Sequence, residues 1–255
     1  LLGYPKIRQL LAQTIDKNKI INDILNGEAQ TLDGPLFFSQ PDATAKKYIY
    51  NPSAVKTGLN EMGWKLSDYK KIDEKYPFQV RSKSKQYLAF VITTINQPEN
   101  IATAELIKNS WQALGIKTDL EILNIADLSE KIKNRDYEIL LYAEILSFDP
   151  DPYPFWHSSQ TKYPGLNLSL YQNPNADKLL EDARKTINSK IRATKYAAFQ
   201  QILTNDVPAI FLFSPTYTYP QNKKLLGFDV KNIVSPSNRF SNVAAWHVNL
   251  KRTLF

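Results

Sequence analysis

Residues 87–146, YLAFVITTINQPENIATAELIKNSWQALGIKTDLEILNIADLSEKIKNRDYEILLYAEIL, decide the fold class of this chain. YLAFVITTI (87–95), IKTDLEIL (116–123) and YEILLYAEIL (137–146) are rich in aliphatic and β-branched residues and predict strands, the last of them buried on both faces. Between the strands, apolar residues recur at helical spacing over about 99–114 and about 126–134. Strand, helix, strand, helix and strand in succession is typical of right-handed crossovers in a largely parallel sheet, so the sequence predicts the α/β class.

The sequence before this stretch predicts helices and a hairpin. Residues 5–15 have helical apolar spacing with Pro5 in the first turn, and Asp16 caps a second helix that ends at Gly27. A third helix begins at Asn51 and Pro52 and ends at Gly63. Farther on, FQVRSK (78–83) and the strand from Tyr87 are expected to pair as a hairpin.

The sequence after residue 160 predicts two helices and a strand. The apolar stripes of the helices are Ala176, Leu179, Leu180, Ala183 and Ile187 in the first, and Tyr196, Phe199, Ile202 and Leu203 in the second. PAIFLFSPTYTY (208–219) predicts a further strand, and GFDV (227–230) and AAWHV (244–248) predict short strands or turns.

The composition excludes several classes of site. The absence of cysteine excludes disulfides, zinc–cysteine centres and thiol nucleophiles. No apolar run approaches the roughly 18 residues that a membrane span requires. The net charge of +7 would suit nucleic acid, an anionic membrane surface or acidic ligands, but no Lys or Arg run exceeds two residues apart from loose clusters such as RSKSK (81–85). This pattern favours a merely basic surface.

YAEILSFDPDPYPFWHSSQ (142–160), which we call the lip loop, follows the last predicted strand and combines three prolines, two aspartates, several aromatic rings and His157. In open parallel sheets, ligands bind beyond the carboxyl ends of the strands. The position of the lip loop therefore predicts that it borders a ligand.

A metal-dependent hydrolase centred on His157 is one alternative, because His157, Asp149 and Asp151 are residue types that bind divalent metals. No His-x-x-His or His-Glu-x-x-His spacing supports it, and the other histidine, His247, is remote in sequence. Neither a Gly-x-Ser-x-Gly motif nor a glycine-rich phosphate loop occurs. The carboxylates Glu181 and Asp182 share a predicted helix with Arg184 and Lys185, which indicates a solvated face.

A basic nucleic-acid-binding module is a second alternative, since aromatic rings interleaved with basic residues can stack on bases. In and around the lip loop, however, the rings are flanked by acids and prolines, with only Lys162 nearby. The sequence therefore favours a small-molecule or peptide ligand over nucleic acid.

The order of motifs resembles the C-terminal part of the family 5 extracellular solute-binding proteins, the peptide- and nickel-binding components of ABC importers. The resemblance is carried by KIRQLLAQTIDKNKIINDILNGEAQTLDGPL (6–36), YNPSAVKTGLNEMGW (50–64), ATAELIKNSWQALGIKTDLEIL (102–123), YEILLYAEILSFDPDPYPFWHSSQ (137–160) and GLNLSLYQNPNADKLLEDAR (165–184). One departure is Lys17, where the family usually has Arg.

The resemblance implies a venus-flytrap fold of the type II periplasmic-binding-protein kind. Residues 1–206 are then the second ligand-binding lobe, and residues 207–255 are returning strands and the C-terminal segment of a first lobe that is otherwise missing. The sequence is accordingly expected to be part of a longer chain. Such proteins close two lobes around a solute and deliver it to a membrane permease outside the cytoplasm, with or without a lipid anchor, and the resemblance implies neither catalysis nor a cofactor.

The resemblance also implies where a ligand binds. Peptide-binding members place an acid near the end of the strand before the Asp-Pro loop, where it pairs with the peptide α-ammonium group. Counted back from Asp149, that position is Leu146 here, and Glu144 is the nearest acid. This departure argues against an ordinary peptide and leaves a modified peptide, an oligosaccharide or another organic solute open. The residues expected to line the cleft are Tyr142, Glu144, Phe148, Asp149, Trp156, Asn167 and Tyr171. For Asn167 and Tyr171 the alternative is that they hold the loop by hydrogen bonds.

Overall fold

The computed structural model describes residues 1–36, 46–67, 79–146, 151–230, 233 and 235–249. The helices are α1 Pro5–Ala12, α2 Lys17–Lys19, α3 Pro52–Glu61, α4 Pro98–Gln112, α5 Ile125–Asn134, α6 Tyr153–Trp156, α7 Pro174–Arg184 and α8 Ser189–Asp206. The strands are β1 Ala29–Thr31, β2 Lys65–Ser67, β3 Val80–Lys83, β4 Gln86–Tyr87, β5 Ala89–Ile95, β6 Lys117–Leu123, β7 Ile139–Leu141 and β8 Phe213–Pro215. A π-helical turn, Ile20–Ile24, continues α2, and 3-10 turns cover Ser158–Gln160, Pro236–Phe240 and Val243–Ala245.

A parallel sheet in the order β6-β5-β7 carries the fold and confirms the predicted α/β class. The helix α4 connects β5 to β6, and its side chains Ala104, Ile107 and Trp111 are buried in the main core. Trp111 meets Phe90 of β5 edge to face at 6.0 Å. Gly115, between the end of α4 and the start of β6, has φ +80°, the left-handed conformation that favours glycine after a helix end.

The N-terminal helices complete the main core as predicted. Ile7, Leu10 and Leu11 of α1 are buried, and the Asp16 carboxylate caps α2 by accepting from the Lys19 amide at 3.1 Å. A buried polar contact joins this layer to α4, because the Trp111 indole donates to the Thr14 hydroxyl at 2.6 Å. The segment after α1 is therefore joined to α4 by a buried hydrogen bond as well as by apolar contact.

The predicted strand over residues 87–95 is wrong as a single element. Gln86–Tyr87 pair with β3 in an antiparallel sheet, across a turn in which Ser84 and Lys85 have φ +50° and +66°. The next residue, Leu88, donates its amide to the Arg81 carbonyl and accepts from the Lys117 amide with its own carbonyl. Because its two backbone groups serve different sheets, the chain changes sheet at Leu88.

The third predicted strand of the stretch is also shorter than expected. It spans only β7, whose residues are partly buried, whereas the prediction placed a strand buried on both faces up to residue 146. Among the described residues β7 pairs with β5 alone, so it is an edge strand with one open side. Beyond it Tyr142 is 50% exposed and Ile145 88% exposed, and the chain leaves the sheet at residue 142.

A second core lies between α7 and α8. It joins Ala176, Leu180 and Ala183 of α7 to Phe199 and Leu203 of α8, with Trp156 and Tyr171 from the lip loop and the segment after it. The assignment of Ile187 to this stripe is wrong, because α7 ends at Arg184 and the Ile187 side chain is 97% exposed.

The segment after α8 runs between the two cores. Ala209 and Phe211 pack against the second core, while Ile210, Leu212 and Phe213 pack against the main core. The strand predicted over 208–219 is reduced to β8, which pairs antiparallel with β1. In the tail, Leu226 and His247 form an isolated bridge. None of the helices in the described part of the chain is both long and apolar enough to cross a membrane.

Candidate functional site

The lip loop starts at the edge of the parallel sheet where all three strands end. Ile95 of β5 lies opposite Leu123 of β6, and Thr94 lies opposite Leu141 of β7, whose carbonyl it binds through its hydroxyl at 3.1 Å. The chain therefore enters the lip loop at the ligand-binding edge that the strand order predicts.

Tyr142 and Glu144 occupy the start of this loop and are open to solvent. Although the Glu144 side chain is accessible, desolvation by the protein around it raises the pKa of its carboxyl to about 7. Ligand contact by Glu144 stays a prediction, and Leu146, at the position where the resemblance implies an acid, is partly buried.

The second half of the lip loop is folded as α6 and a 3-10 turn. Trp156 in α6 is only 6% exposed, because its ring packs on Phe211 at 5.7 Å. It therefore forms part of the second core. Two further residues predicted to line the cleft, Phe148 and Asp149, lie outside the described residues.

His157 follows α6 and is 7% exposed. Its Nδ1 atom accepts from the Ser159 amide at 3.1 Å, which assigns the proton of the neutral ring to Nε2. This Nε2–H faces the Glu181 carboxylate at 3.3 Å, with Asp177 4.0 Å away. Both ring nitrogens of His157 therefore have protein partners.

A stack of three side chains fixes the lip loop to α7. The Tyr153 ring lies parallel to the His157 ring at 4.1 Å, and the Arg184 guanidinium covers the other side of Tyr153 at 4.0 Å. Arg184 also donates to the Asp151 carboxylate at 2.8 and 2.5 Å, and this hydrogen bond raises the pKa of Arg184. A further bond runs from the Ser158 amide to Asp177 at 2.9 Å.

This arrangement does not support a metal-dependent hydrolase. Within the described ranges, which omit Asp149, no group of three or more His, Asp or Glu side chains could hold a metal ion. Asp151, the second carboxylate of that alternative, is paired with Arg184. The cluster around His157 thus acts as an attachment of the loop.

Asn167 is fully buried and all of its polar atoms are engaged. The amide nitrogen donates to the carbonyls of His157 at 3.1 Å and Tyr171 at 2.9 Å, and the amide oxygen accepts from the Tyr171 amide and the Ser169 hydroxyl. These bonds account for the loop-holding role. Ligand contact by Asn167 stays a prediction.

Tyr171 is 8% exposed and makes a strong hydrogen bond of its own. Its hydroxyl donates to the Asp206 carboxylate at 2.6 Å, and burial together with Asp206 raises the pKa of the phenol. Asn173 donates to the same carboxylate oxygen at 2.9 Å. The segment after the lip loop is thereby attached to the end of α8, and ligand contact by Tyr171 also stays a prediction.

The interpretation of the charged face of α7 as merely solvated missed this attachment. Asp177, Glu181 and Arg184 are spaced at i, i+4 and i+7, so the helix places them on one side, towards the lip loop. That spacing is the signal that could have identified them.

A small, partly open pocket of about 20 Å³, room for a single water, is lined by polar side chains including Lys17, Asp33 and Tyr48 and by apolar ones including Val207 and Phe211. Lys17, at the position where the family usually has Arg, pairs with Asp33 at 2.8 Å.

The parallel sheet, its flanking helices and the anchored loop at its carboxyl edge define the C-terminal lobe of a periplasmic-binding-protein-like α/β fold. The particular family follows from comparison with known sequences. The chain belongs to the bacterial extracellular solute-binding proteins, family 5, whose model for the middle region matches residues 1–167. The resemblance noted in the motifs is thus confirmed, and the family is one of binding proteins.

The relatives of this chain include peptide-binding proteins. The oligopeptide-binding protein AppA of Bacillus subtilis (strain 168) is 28% identical over 249 residues, covering 94% of this chain and 43% of AppA. The probable D,D-dipeptide-binding periplasmic protein DdpA of Escherichia coli (strain K12) is 28% identical over 232 residues, covering 89% of this chain and 41% of DdpA.

Solved structures share the fold. AppA from Bacillus subtilis in complex with a nonapeptide superposes with a TM-score of 0.77 at 25% identity, covering 98% of this chain and 48% of AppA. NikZ from Campylobacter jejuni in complex with Ni(L-His) gives a TM-score of 0.74 at 22% identity, covering 96% of this chain and 48% of NikZ. The chain thus spans less than half the length of the relatives it matches.

Proposed function

We propose that this chain is part of the solute-binding component of an ABC importer, which binds a peptide or related organic solute between two lobes and delivers it to a membrane permease. The observation that carries the proposal is a lip loop in a family 5 lobe that is bonded to α7 on one side and presents the accessible Glu144 on the other. Residues 151–160 are already bonded to α7, and a pre-ordered segment loses little conformational freedom when a ligand binds. Neither catalysis nor a cofactor is part of the proposal.

The proposed ligand carries a cationic group. Glu144 would pair with it, and Tyr142 would supply a large flat contact with few rotatable bonds. Because the relative AppA is an oligopeptide-binding protein that has been solved with a nonapeptide, we infer that this cation is an α-ammonium group. The full proposed lining remains Tyr142, Glu144, Phe148, Asp149, Trp156, Asn167 and Tyr171.

The proposed domain division assigns residues 1–206 to the second lobe and residues 207–255 to strands that return to a first lobe. The length of the relatives supports a missing lobe, since each is more than twice as long as the match. The pairing of β8 with β1 supports a crossing point there, because the chain runs along both cores up to this pair. The proposed partners are that first lobe and the permease, and nucleic acid is not among them. We place the protein outside the cytoplasm, with or without a lipid anchor.

A thermal-shift screen of the two-lobed, full-length protein tests the function. Peptides, oligosaccharides and metal ions are added singly, and a ligand that binds only the folded protein raises the melting temperature. We expect a peptide with a free α-ammonium group to raise it, and the N-acetylated form of the same peptide to raise it less, because acetylation removes the charge that Glu144 pairs.

Two results would contradict the proposal. One is the absence of a shift with every organic solute. The other is hydrolytic turnover that requires a metal ion and disappears in His157→Ala, which would restore the hydrolase alternative. Equal shifts for the free and N-acetylated peptides would leave the transport function in place but remove the role of Glu144.

A further inference from the structure

The turn between α7 and α8 exposes isoleucine at the tip of a helical hairpin. Ile187 is 97% exposed, more than any other large apolar side chain in the described part of the chain, and Ile191, one helical turn later, is 53% exposed. Two strongly exposed isoleucines at the end of a hairpin can enter an apolar layer of a partner surface. We call residues 185–191 the basic tip.

Positive charge predominates around the basic tip, although Asp182 lies close to it in sequence and Arg184 is paired with Asp151. Residues 183–195, ARKTINSKIRATK, contain five basic side chains and no acidic one. Within the described residues, the ammonium groups of Lys185 and Lys190 have no ion-pair partner, and both side chains are exposed. The two lysines therefore lie beside the exposed isoleucines with their charge uncompensated.

The position of Lys190 at the start of α8 is unfavourable for its charge. Lys190 falls in the first turn of α8, followed by Arg192, and that turn contains no acidic residue. Cations at a helix N-terminus face its positive pole, which disfavours them. An anionic surface laid against the basic tip would offset both the lysine charges and the pole of the helix.

The tip is also held in shape before it meets a partner. The Asn188 side chain caps α8 by accepting from the Lys190 and Ile191 amides at 3.0 and 3.2 Å. On the other side, Thr186 donates its hydroxyl to the Asp182 carbonyl at 2.6 Å. Ile187 is thereby presented without further ordering of the backbone.

We propose that the basic tip docks on an anionic lipid surface, with Ile187 entering the headgroup region and Lys185 and Lys190 binding lipid phosphates. The long lysine stems allow the ammonium groups to stay at headgroup depth while the isoleucine goes deeper. This contact does not depend on the identity of the transported solute. It would place the lobe beside the membrane in which a permease lies.

Co-sedimentation with lipid vesicles tests the proposal on the full-length, two-lobed protein. Vesicles of phosphatidylcholine and phosphatidylglycerol in equal parts are compared with vesicles of phosphatidylcholine alone. We expect binding to the anionic vesicles that weakens with added salt. Lys185→Gln and Lys190→Gln should each reduce the partition coefficient about fivefold, and Ile187→Ala by at least about tenfold.

Matched variants elsewhere on the surface are the controls. Lys56→Gln and Lys65→Gln remove exposed charges, and Ile125→Ala shortens an isoleucine that is 65% exposed. The proposal requires these variants to bind like the parent chain. It is overturned if anionic vesicles fail to sediment the chain, or if the controls lose as much binding as the tip variants, which would indicate attraction by net charge alone. Binding to soluble polyglutamate without vesicle binding would point to an acidic protein and would also overturn it.

Discussion

The guanidinium of Arg81 lies 2.6 Å from the carbonyl oxygen of Leu114, just beyond the end of α4. It also donates to the Trp64 carbonyl at 2.7 Å, just beyond the end of α3, and to the Asn60 side chain at 2.6 Å. Arg81 is 1% exposed, desolvation lowers its pKa, and no carboxylate partner of it is found within the described ranges. Backbone carbonyls that follow two helices, together with the Asn60 side chain, therefore compensate a buried charge.

Replacement of Arg81 is expected to destabilise the lobe. Arg81→Met should lower the free energy of unfolding by roughly 3 kcal/mol, because several buried acceptors lose their donor at once. Arg81→Lys should recover only part of this loss, since an ammonium group lacks the planar fork. Urea denaturation followed by circular dichroism gives the comparison. On the same strand, Lys83→Met removes an exposed lysine that bonds to the Met62 carbonyl and should cost less than about 0.5 kcal/mol. If Arg81→Met and Lys83→Met lowered the free energy of unfolding equally, the stabilising role of the Arg81 hydrogen bonds would be refuted.

Asn167→Ala is expected to weaken the attachment of the lip loop to the segment that follows it. The change deletes hydrogen bonds to the backbone at His157 and Tyr171 in a fully buried position and should cost about 2–4 kcal/mol in the free energy of unfolding. Asn175→Ala, at an exposed position of α7, is the matched control and should be close to neutral. Thermal melting measures both. A neutral Asn167→Ala would show that the loop does not depend on this amide.

Arg184→Ala is expected to affect the order of the lip loop more than global stability. The Arg184–Asp151 pair is partly exposed, so its loss should change the free energy of unfolding by less than about 1 kcal/mol. The amides of residues 153–157 should nevertheless exchange faster with solvent, because the stack on Tyr153 loses its outer layer. Hydrogen exchange read by mass spectrometry reports this, with Lys185→Ala as the neighbouring control. Unchanged exchange in Arg184→Ala would contradict the anchoring role.

Glu144 is expected to make stability fall as pH rises towards neutrality. Its pKa is raised from 4.5 to about 7 in the folded chain, so between these values the folded state holds a proton that the unfolded state has lost. Stability contributed by this group is present below pH 4.5 and is lost as pH rises through about 7. The difference in melting temperature between the parent chain and Glu144→Gln, measured across this window, isolates the effect from other groups.

The same titration applies to ligand binding. A cationic solute at Glu144 should bind more weakly as pH falls through about 7, because protonation removes the partner charge. Calorimetric titration of the full-length protein with the peptide from the thermal-shift screen measures this dependence. A pH profile that is the same in the parent and Glu144→Gln proteins would exclude Glu144 from the site.

Much of the fold could be predicted from the sequence because the signals are local. Helix caps at Asp16 and Asn51, glycines at helix ends such as Gly115, and apolar periodicity act over a few residues, and they appear in the structure where expected. The alternation of strands and helices likewise specified a parallel sheet. The family resemblance then indicated the lobe and the position of its ligand edge.

Tertiary structure alone decided where strands stop and which side chains meet. The extended character of residues 87–95 does not reveal that Leu88 serves two sheets, and the apolar run that ends at Leu146 does not reveal that β7 is an edge. Similarly, Arg184 is a surface charge in the sequence but part of a stack on the lip loop in the structure. Local pattern and capping are properties of neighbouring residues, whereas pairing partners, burial and the anchoring of the loop depend on contacts between segments far apart in the chain.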